Sequence, residues 1–317
     1  MYMQIAVIDD WQEVAEGVVD WTTLHALGEV HFVHDYPADT PTLAARLAPY
    51  QVICIMRERT AFDAELLERL PNLKLIATGG LRNAAIDLQA ARRQGIAVVG
   101  TDSYKHAAPE LTWALIMALS RNLVGEVNAL RGGGWQVGLG GDLHGKTLAI
   151  LGLGSIGEKV ARFGQAFGMR VIAWSPNLSQ ARANEVGVIR VDKQQLFAEA
   201  DILSIHLVLS ERSRGLVDAQ SLAWMKPEAL LVNTARGAIV DEAALIAALQ
   251  SGLLAGAALD VFEQEPLPAQ HPFRSLPNVL ATPHIGYVTA ANYRQFYGQM
   301  IESILAWQTG TPVRMLQ

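Results

Sequence analysis

Short apolar runs recur along the chain, and most are followed by stretches in which apolar positions return every three or four residues. Before residue 145 the runs are Gln4–Ile8, Val52–Met56, Leu73–Thr78 and Ala97–Gly100. After it come Thr147–Leu151, Arg170–Trp174, Ile202–His206, Ala229–Asn233, Gly256–Asp260 and Asn278–Thr282. Helical period marks Ala64–Leu70, Glu158–Phe167 and Glu242–Gln250. Strands nearly continuous in apolar residues are covered on both faces, and alternation with helices makes their sheet parallel. The pattern predicts an α/β, doubly wound chain. Its strand–helix series number two. Between them lie a helical stretch over Ala107–Leu130 and the run Gly132-Gly133-Gly134, a hinge or a surface loop. A final helix is predicted over Thr289–Gln308.

Composition narrows the classes. With 317 residues, half of them hydrophobic, the chain is long enough for two cores. The formal charge of −6 comes from interspersed acids and bases with no lysine or arginine tract, so neither nucleic acid nor a membrane is an expected partner. Leu111–Leu119, flanked by Glu110 and Arg121, falls well short of the roughly 18 apolar residues that span a bilayer. Asp9 and Asp10 follow the first strand directly, unlike a signal peptide, and a soluble, cytoplasmic protein is expected. The single cysteine, Cys54, sits in an apolar run and reads as a small core residue; no metal site is expected.

The strongest local chemistry is Gly152-Leu153-Gly154-Ser155-Ile156-Gly157, directly after a strand and before a helix. Gly152 permits the turn, Gly154 lets backbone approach a pyrophosphate, and Gly157 lets helix pack on strand. The helix start, with Ser155 and Ile156, offers N–H groups and partial positive charge to phosphate. A dinucleotide, NAD(P), is the expected cofactor. The next strand ends in Ser175-Pro176-Asn177, without the carboxylate that would bond an adenosine ribose and repel a 2′-phosphate. NADP is therefore favoured over NAD, with Arg182 a possible phosphate partner or simply a solvated helix residue.

Three further motifs fall at strand ends: Asn233-Thr234-Ala235-Arg236-Gly237, Asp260-Val261-Phe262-Glu263-Gln264-Glu265-Pro266 and Thr282-Pro283-His284-Ile285-Gly286. With the phosphate loop and Ile205-His206-Leu207, in this order and spacing, they resemble the D-isomer-specific 2-hydroxyacid dehydrogenases over essentially the whole chain. The resemblance implies hydride transfer between the cofactor and C2 of a small 2-oxo or 2-hydroxy acid. It makes Arg236 the carboxylate-binding, carbonyl-polarising group, His284 the acid/base and Glu265 its partner. It places Asp260 facing the nicotinamide, Thr234 and Ala235 bordering it, and His206 and Gly286 among the cofactor residues. Formate oxidation is disfavoured, because related formate dehydrogenases carry glutamine where Glu265 stands.

The resemblance also assigns substrate binding to the turn Gly80-Leu81-Arg82, where Arg82 replaces a usual glycine; Arg82 or Asn83 is expected to shape substrate choice. Arg57-Glu58-Arg59-Thr60 reads as a charge-neutralised surface turn, or less favourably as a second cationic group for a dicarboxylate or phosphorylated substrate. Tyr104, Trp113 and Trp135 fit a homodimer contact or core packing equally well. Two Rossmann-like domains follow, with the active site in the cleft between them: residues 1–102 plus 285–317 for substrate and 103–284 for NAD(P). The alternatives are a dinucleotide-sensing, corepressor-like regulator on the same scaffold, or a dehydrogenase of a non-carboxylate substrate such as a phosphonate.

Overall fold

In the computed structural model, which describes residues 2–34, 37 and 39–316, the strands form two sheets. The first holds β1 (Met3–Val7), β2 (Gly28–Phe32), β3 (Val52–Ile55), β4 (Leu75–Thr78) and β5 (Ala97–Val99) in the order β2-β1-β3-β4-β5. The second holds β6 (Thr147–Leu151), β7 (Arg170–Trp174), β8 (Ile189–Arg190), β9 (Ile202–Ile205), β10 (Leu230–Asn233), β11 (Gly256–Leu259) and β12 (Val279–Ala281). Its order is β12-β11-β10-β9-β6-β7-β8, and every named pairing in both sheets is parallel. Central strands such as β3, β4, β6 and β9 are buried at every residue, as expected where helices cover both faces. The α/β, doubly wound class read from the sequence is what the chain adopts.

The chain divides into two compact units, Met1–Tyr104 with Val288–Gln317, and Lys105–Tyr287. Met1 and Gln317, included in the expected outer bounds, lie outside the described residues. The second unit ends after Tyr287 rather than at 284, because the Ile285 and Gly286 N–H groups both donate to Asp260. The helical stretch near 107–130 is two helices, Ala107–Ser120 and Leu123–Arg131, broken at Asn122 in the left-handed region with φ 46°. Trp113 belongs to the core, stacked on Phe167 with centroids 4.8 Å apart, whereas Trp135 is 75% exposed. Cys54 is fully buried, and burial pushes its thiol up to about 12, leaving it an inert core residue.

Each sheet reverses its strand order at one point, where open α/β sheets leave room for ligands beyond the strand ends. In the first sheet this lies at β1 and β3. Asp9, just past β1, has φ 64° and a buried carboxyl that accepts from the Thr60 hydroxyl at 2.6 Å. Arg59 reaches the Asp9 carbonyl at 2.5 Å, contacts Tyr293 at 3.2 Å and lies over the Trp11 ring. The segment 57–60 is a half-buried turn in which Arg57 Nε pairs with Glu58 at 3.5 Å, the neutralisation that the sequence suggests, and the two side chains are 15% and 19% exposed.

Burial raises the Asp9 carboxyl to about 6, outweighing the Thr60 bond and the Arg59 charge. The native state therefore holds a proton that the unfolded chain releases near pH 4. Stability contributed here falls as pH rises from about 4 to 6, and the loss is complete above 6. Asp9→Asn, tolerant of positive φ, is expected to raise stability at pH 7.5 by up to roughly 3 kcal/mol and to flatten that slope. Urea unfolding at pH 4 and pH 7.5 checks this; an unchanged slope would assign it to another group.

Candidate active site

The second sheet reverses at β6 and β9. Gly152 follows β6 with φ 106°, and a Cβ there would lie within 3 Å of the His206 carbonyl and the Leu207 nitrogen. A Cβ at Gly157 would meet the Gly152 oxygen at 2.1 Å, whereas one at Gly154 would meet nothing within 4 Å. The glycines thus differ in purpose: two admit backbone contact, and Gly154 keeps an approach open. The helix Ser155–Ala166 begins at Gly154 without a side-chain cap. Asp63, Asp192 and Asp241 cap other helices of the chain. An uncapped first turn leaves the N–H groups of Ser155, Ile156 and Gly157 for an external anion. These residues fit a dinucleotide pyrophosphate.

The strand-end residues around this loop are also placed. Ser175 and Asn177 follow β7, and neither supplies a carboxylate. Arg182 is a solvent-accessible residue of the helix Gln180–Val186, paired with Glu158 and Glu185. His206 bonds Ser204 through Nε2 at 2.8 Å, and burial lowers it to about 3, which keeps the ring neutral.

At the end of β10, Asn233 folds the turn that follows, accepting from the Ala235 N–H at 3.0 Å and donating to the Arg236 carbonyl at 3.0 Å. Arg236 adopts extended backbone, and its Nη1 donates to the Ala235 carbonyl at 2.7 Å. Thr234 pairs with Thr112 at 2.8 Å, joining this turn to the helix Ala107–Ser120. Beyond β12, His284 stands at φ 50°, and its Nδ1 meets Glu265 Oε2 at 2.5 Å. The other Glu265 oxygen accepts from the Phe262 N–H at 2.9 Å. A carboxylate fixed at both oxygens orients the imidazole.

Asp260, just past β11, has no exposed surface. Its Oδ1 accepts from the Thr282 hydroxyl at 2.6 Å and the Ile285 N–H at 2.8 Å, and its Oδ2 from the Gly286 N–H at 2.8 Å. Burial raises its carboxyl, against the lowering effects of these bonds and of His284. Asp260, which the resemblance places facing the nicotinamide, grips the chain on both sides of His284. The Gly286 N–H is engaged by the same grip.

In the first unit, the Gly80 N–H donates to Thr101 Oγ1 at 2.8 Å, with Gly80 at φ 88°. Leu81 is 49% exposed and Arg82 is exposed. A Cβ on Gly80 would lie 2.6 Å from Nη1 of Arg57, so that guanidinium covers the turn. Asn83 is buried and holds the arginine's backbone, donating from Nδ2 to the Arg57 carbonyl at 2.7 Å and to Thr78 at 2.9 Å. Asn83 therefore acts through Arg57, a residue the sequence pattern undervalued because its partner turn is 23 residues away. Among the described residues no group of three or more acidic, histidine or cysteine side chains could hold a metal ion, and no helix is long and apolar enough to cross a membrane.

The family model for the D-isomer specific 2-hydroxyacid dehydrogenase, NAD binding domain, matches residues 113–286. A glyoxylate reductase of Aeropyrum pernix is 40% identical over 258 residues, covering 78% of this chain and 77% of that protein. A hydroxypyruvate reductase of Thermotoga maritima is 37% identical over 265 residues, covering 82% and 85%. The crystal structure of a phosphoglycerate oxidoreductase from Vibrio cholerae superposes with a TM-score of 0.93 at 39% identity, over 97% of this chain and 99% of that one. Against D-3-phosphoglycerate dehydrogenases such as that of Mycobacterium leprae, 39% identical over 275 residues, the chain spans about half the relative's length, 51%. The chain belongs to the D-isomer-specific 2-hydroxyacid dehydrogenases. It is accordingly a 2-hydroxyacid dehydrogenase that uses a nicotinamide dinucleotide.

Proposed function

We propose that this enzyme reduces a small 2-oxo acid to its D-2-hydroxy acid, or runs the reverse oxidation, with His284 as acid/base. The observation that carries the reading is the 2.5 Å bond from His284 Nδ1 to Glu265. It leaves Nε2 to give a proton to the C2 oxygen in reduction or to remove one in oxidation. The bound dinucleotide supplies or accepts the hydride at C2. Arg236 binds the substrate carboxylate with its planar fork and polarises the C2 oxygen. Gly152, Gly154, Ser155, Ile156 and Gly157 hold the pyrophosphate, with Thr234 and Ala235 at the nicotinamide. Gly80, Leu81 and Arg82 are substrate residues in the same proposal. NADP is favoured over NAD because Ser175 and Asn177 leave the ribose end without a carboxylate.

A second feature bears on the substrate. The Arg57 guanidinium lies over the turn that carries Arg82, although its Nε also pairs with Glu58 at 3.5 Å. The remaining positive charge favours a substrate with a second anionic group, a dicarboxylate or a phosphorylated acid. The test is loss of reduced-nicotinamide absorbance with NADPH and NADH separately. The acids are glyoxylate, hydroxypyruvate, pyruvate, phenylpyruvate and 2-oxoglutarate. Turnover with NADPH in excess of NADH supports the cofactor reading, and 2-oxoglutarate as best substrate supports the dianion. Cofactor binding without turnover of any acid would favour the regulator.

The chain also pairs as a homodimer in this proposal. None of the helix Leu123–Arg131 is buried, and Leu123, Val127 and Leu130 recur at the spacing of one apolar stripe. Trp135, Val137 and Leu139 extend it, all more than half exposed. Exposed apolar surface of this extent marks a protein contact. Leu130→Asp with Val127→Asp is expected to halve the mass measured by light scattering; a wild type already monomeric would remove the proposal.

A further inference from the structure

The loop that carries Glu265 is held at two places, and the proposed acid/base pair accounts for only one. At the inner place, Glu265 accepts from the Phe262 N–H and meets His284. At the outer place stands a second carboxylate, Glu242, the first residue of the helix Glu242–Gln250. Its Oε1 lies 2.9 Å from His271 Nε2, and its Oε2 accepts from the Glu263 N–H at 3.3 Å. The side chains are mostly shielded from solvent, His271 14% and Glu242 19% exposed. His271 Nδ1 accepts from the Phe273 N–H at 3.3 Å, which assigns the ring proton to Nε2, facing Glu242. The His271 ring also lies 4.9 Å from that of Phe273, itself 6.3 Å from Phe262.

Glu242 is joined to Arg236 by the 3-10 turn Gly237–Ile239 and the Asp241 cap. Gly237 meets the Glu265 loop backbone to backbone, since a Cβ there would lie 2.0 Å from the Phe262 carbonyl carbon. The segment bearing Arg236 and the loop bearing Glu265 are therefore fastened at Gly237 and again at Glu242. Neighbouring charges do not compete for the fastening. Arg274 binds the loop elsewhere, at the carbonyls of Leu267 and Pro268, and the Asp241 carboxylate accepts from Ala244. Near His284 the second carboxylate is Asp260, engaged by its own three donors.

We infer that Glu242 and His271 are positioning residues: a second Glu–His pair that holds the Glu265 carboxylate against His284. The inference rests on the acid/base reading above. The experiment follows the His284 imidazole by NMR titration in the intact enzyme, with the signal assigned through His284→Gln, so that it needs no known substrate. Glu265→Gln is expected to move the His284 midpoint, through loss of the partner charge. Glu242→Ala is expected to move it in the same direction, and Glu242→Ala with Glu265→Gln to move it no further than Glu265→Gln alone. With any 2-oxo acid that is turned over, Glu242→Ala should lower kcat about tenfold at unchanged cofactor KM. Should Glu242→Ala fail to fold, His271→Gln carries the same expectation. A His284 midpoint unmoved by the outer-pair variants, while Glu265→Gln moves it, overturns the positioning role. A midpoint unmoved by Glu265→Gln as well overturns the acid/base reading beneath it.

Discussion

His284→Ala is expected to lower kcat by about 10²–10⁴-fold, the usual contribution of a positioned general acid, while dinucleotide affinity is retained. The loss has two sources. On the proposed mechanism the alanine enzyme lacks the proton that must reach the C2 oxygen as hydride reaches C2, so oxyanion charge is left unneutralised. It also leaves Glu265, fixed by the Phe262 N–H, facing the substrate with nothing to shield its charge. The first source predicts loss in both directions; the second predicts an added loss of affinity for the anionic substrate. Position 284 has φ 50°, which asparagine tolerates better than alanine, so His284→Asn separates lost chemistry from backbone strain. Steady-state kinetics and fluorescence titration with the reduced cofactor decide the matter. Wild-type turnover in either variant would remove His284 from the reaction.

Asp260→Ala should be the most destabilising single change in the second unit. Three donors converge on this carboxylate, and the substitution removes all their acceptors in a site without solvent. Each orphaned buried donor costs about 1–3 kcal/mol. With non-additivity among neighbours the sum is roughly 3–6 kcal/mol, or on the order of 10–20 °C in the melting temperature. Asp260→Asn keeps one acceptor oxygen but turns an amide N–H₂ toward a donor, and an intermediate loss is expected. Activity should fall with either change, because Thr282, Ile285 and Gly286 are the three residues that set the His284 backbone. Thermal melts of the folded variants, beside their kcat, check this; a melt within 2 °C of wild type, about the 1 kcal/mol level, would show the grip to be unimportant.

The parallel sheets were legible because their central strands are apolar at nearly every position, a pattern that needs no knowledge of neighbours. β2 escaped notice because it is an edge strand: Glu29 and His31 interrupt its apolar run, and only Gly28 is buried within it. β8 is two residues long and exposed, too short to register as a run. The phosphate loop was legible because its chemistry is contained within six consecutive residues. The Glu242–His271 pair was not, since its members stand 29 residues apart with no shared motif. For Arg57 the local half was legible, since Glu58 beside it does pair with it, but its reach across Gly80 was not. The role of Asp260 was legible only as a residue type; its three backbone and hydroxyl partners depend on how the segment after β12 returns past β11.

The contact at Gly237 limits how this enzyme could acquire new substrates. No side chain fits there, because any Cβ would intrude on the peptide joining Phe262 to Glu263. Insertions or substitutions in the Arg236 turn would therefore disturb Glu265 at once, and mutation cannot explore one without damaging the other. In the Leu81–Arg82 turn both side chains are exposed, although the backbone of Gly80 and Leu81 lies against Gly100. Diversification, natural or in the laboratory, has its open ground in that turn, and a library confined to 81 and 82 should retain folded, cofactor-binding members where one at 237 would not.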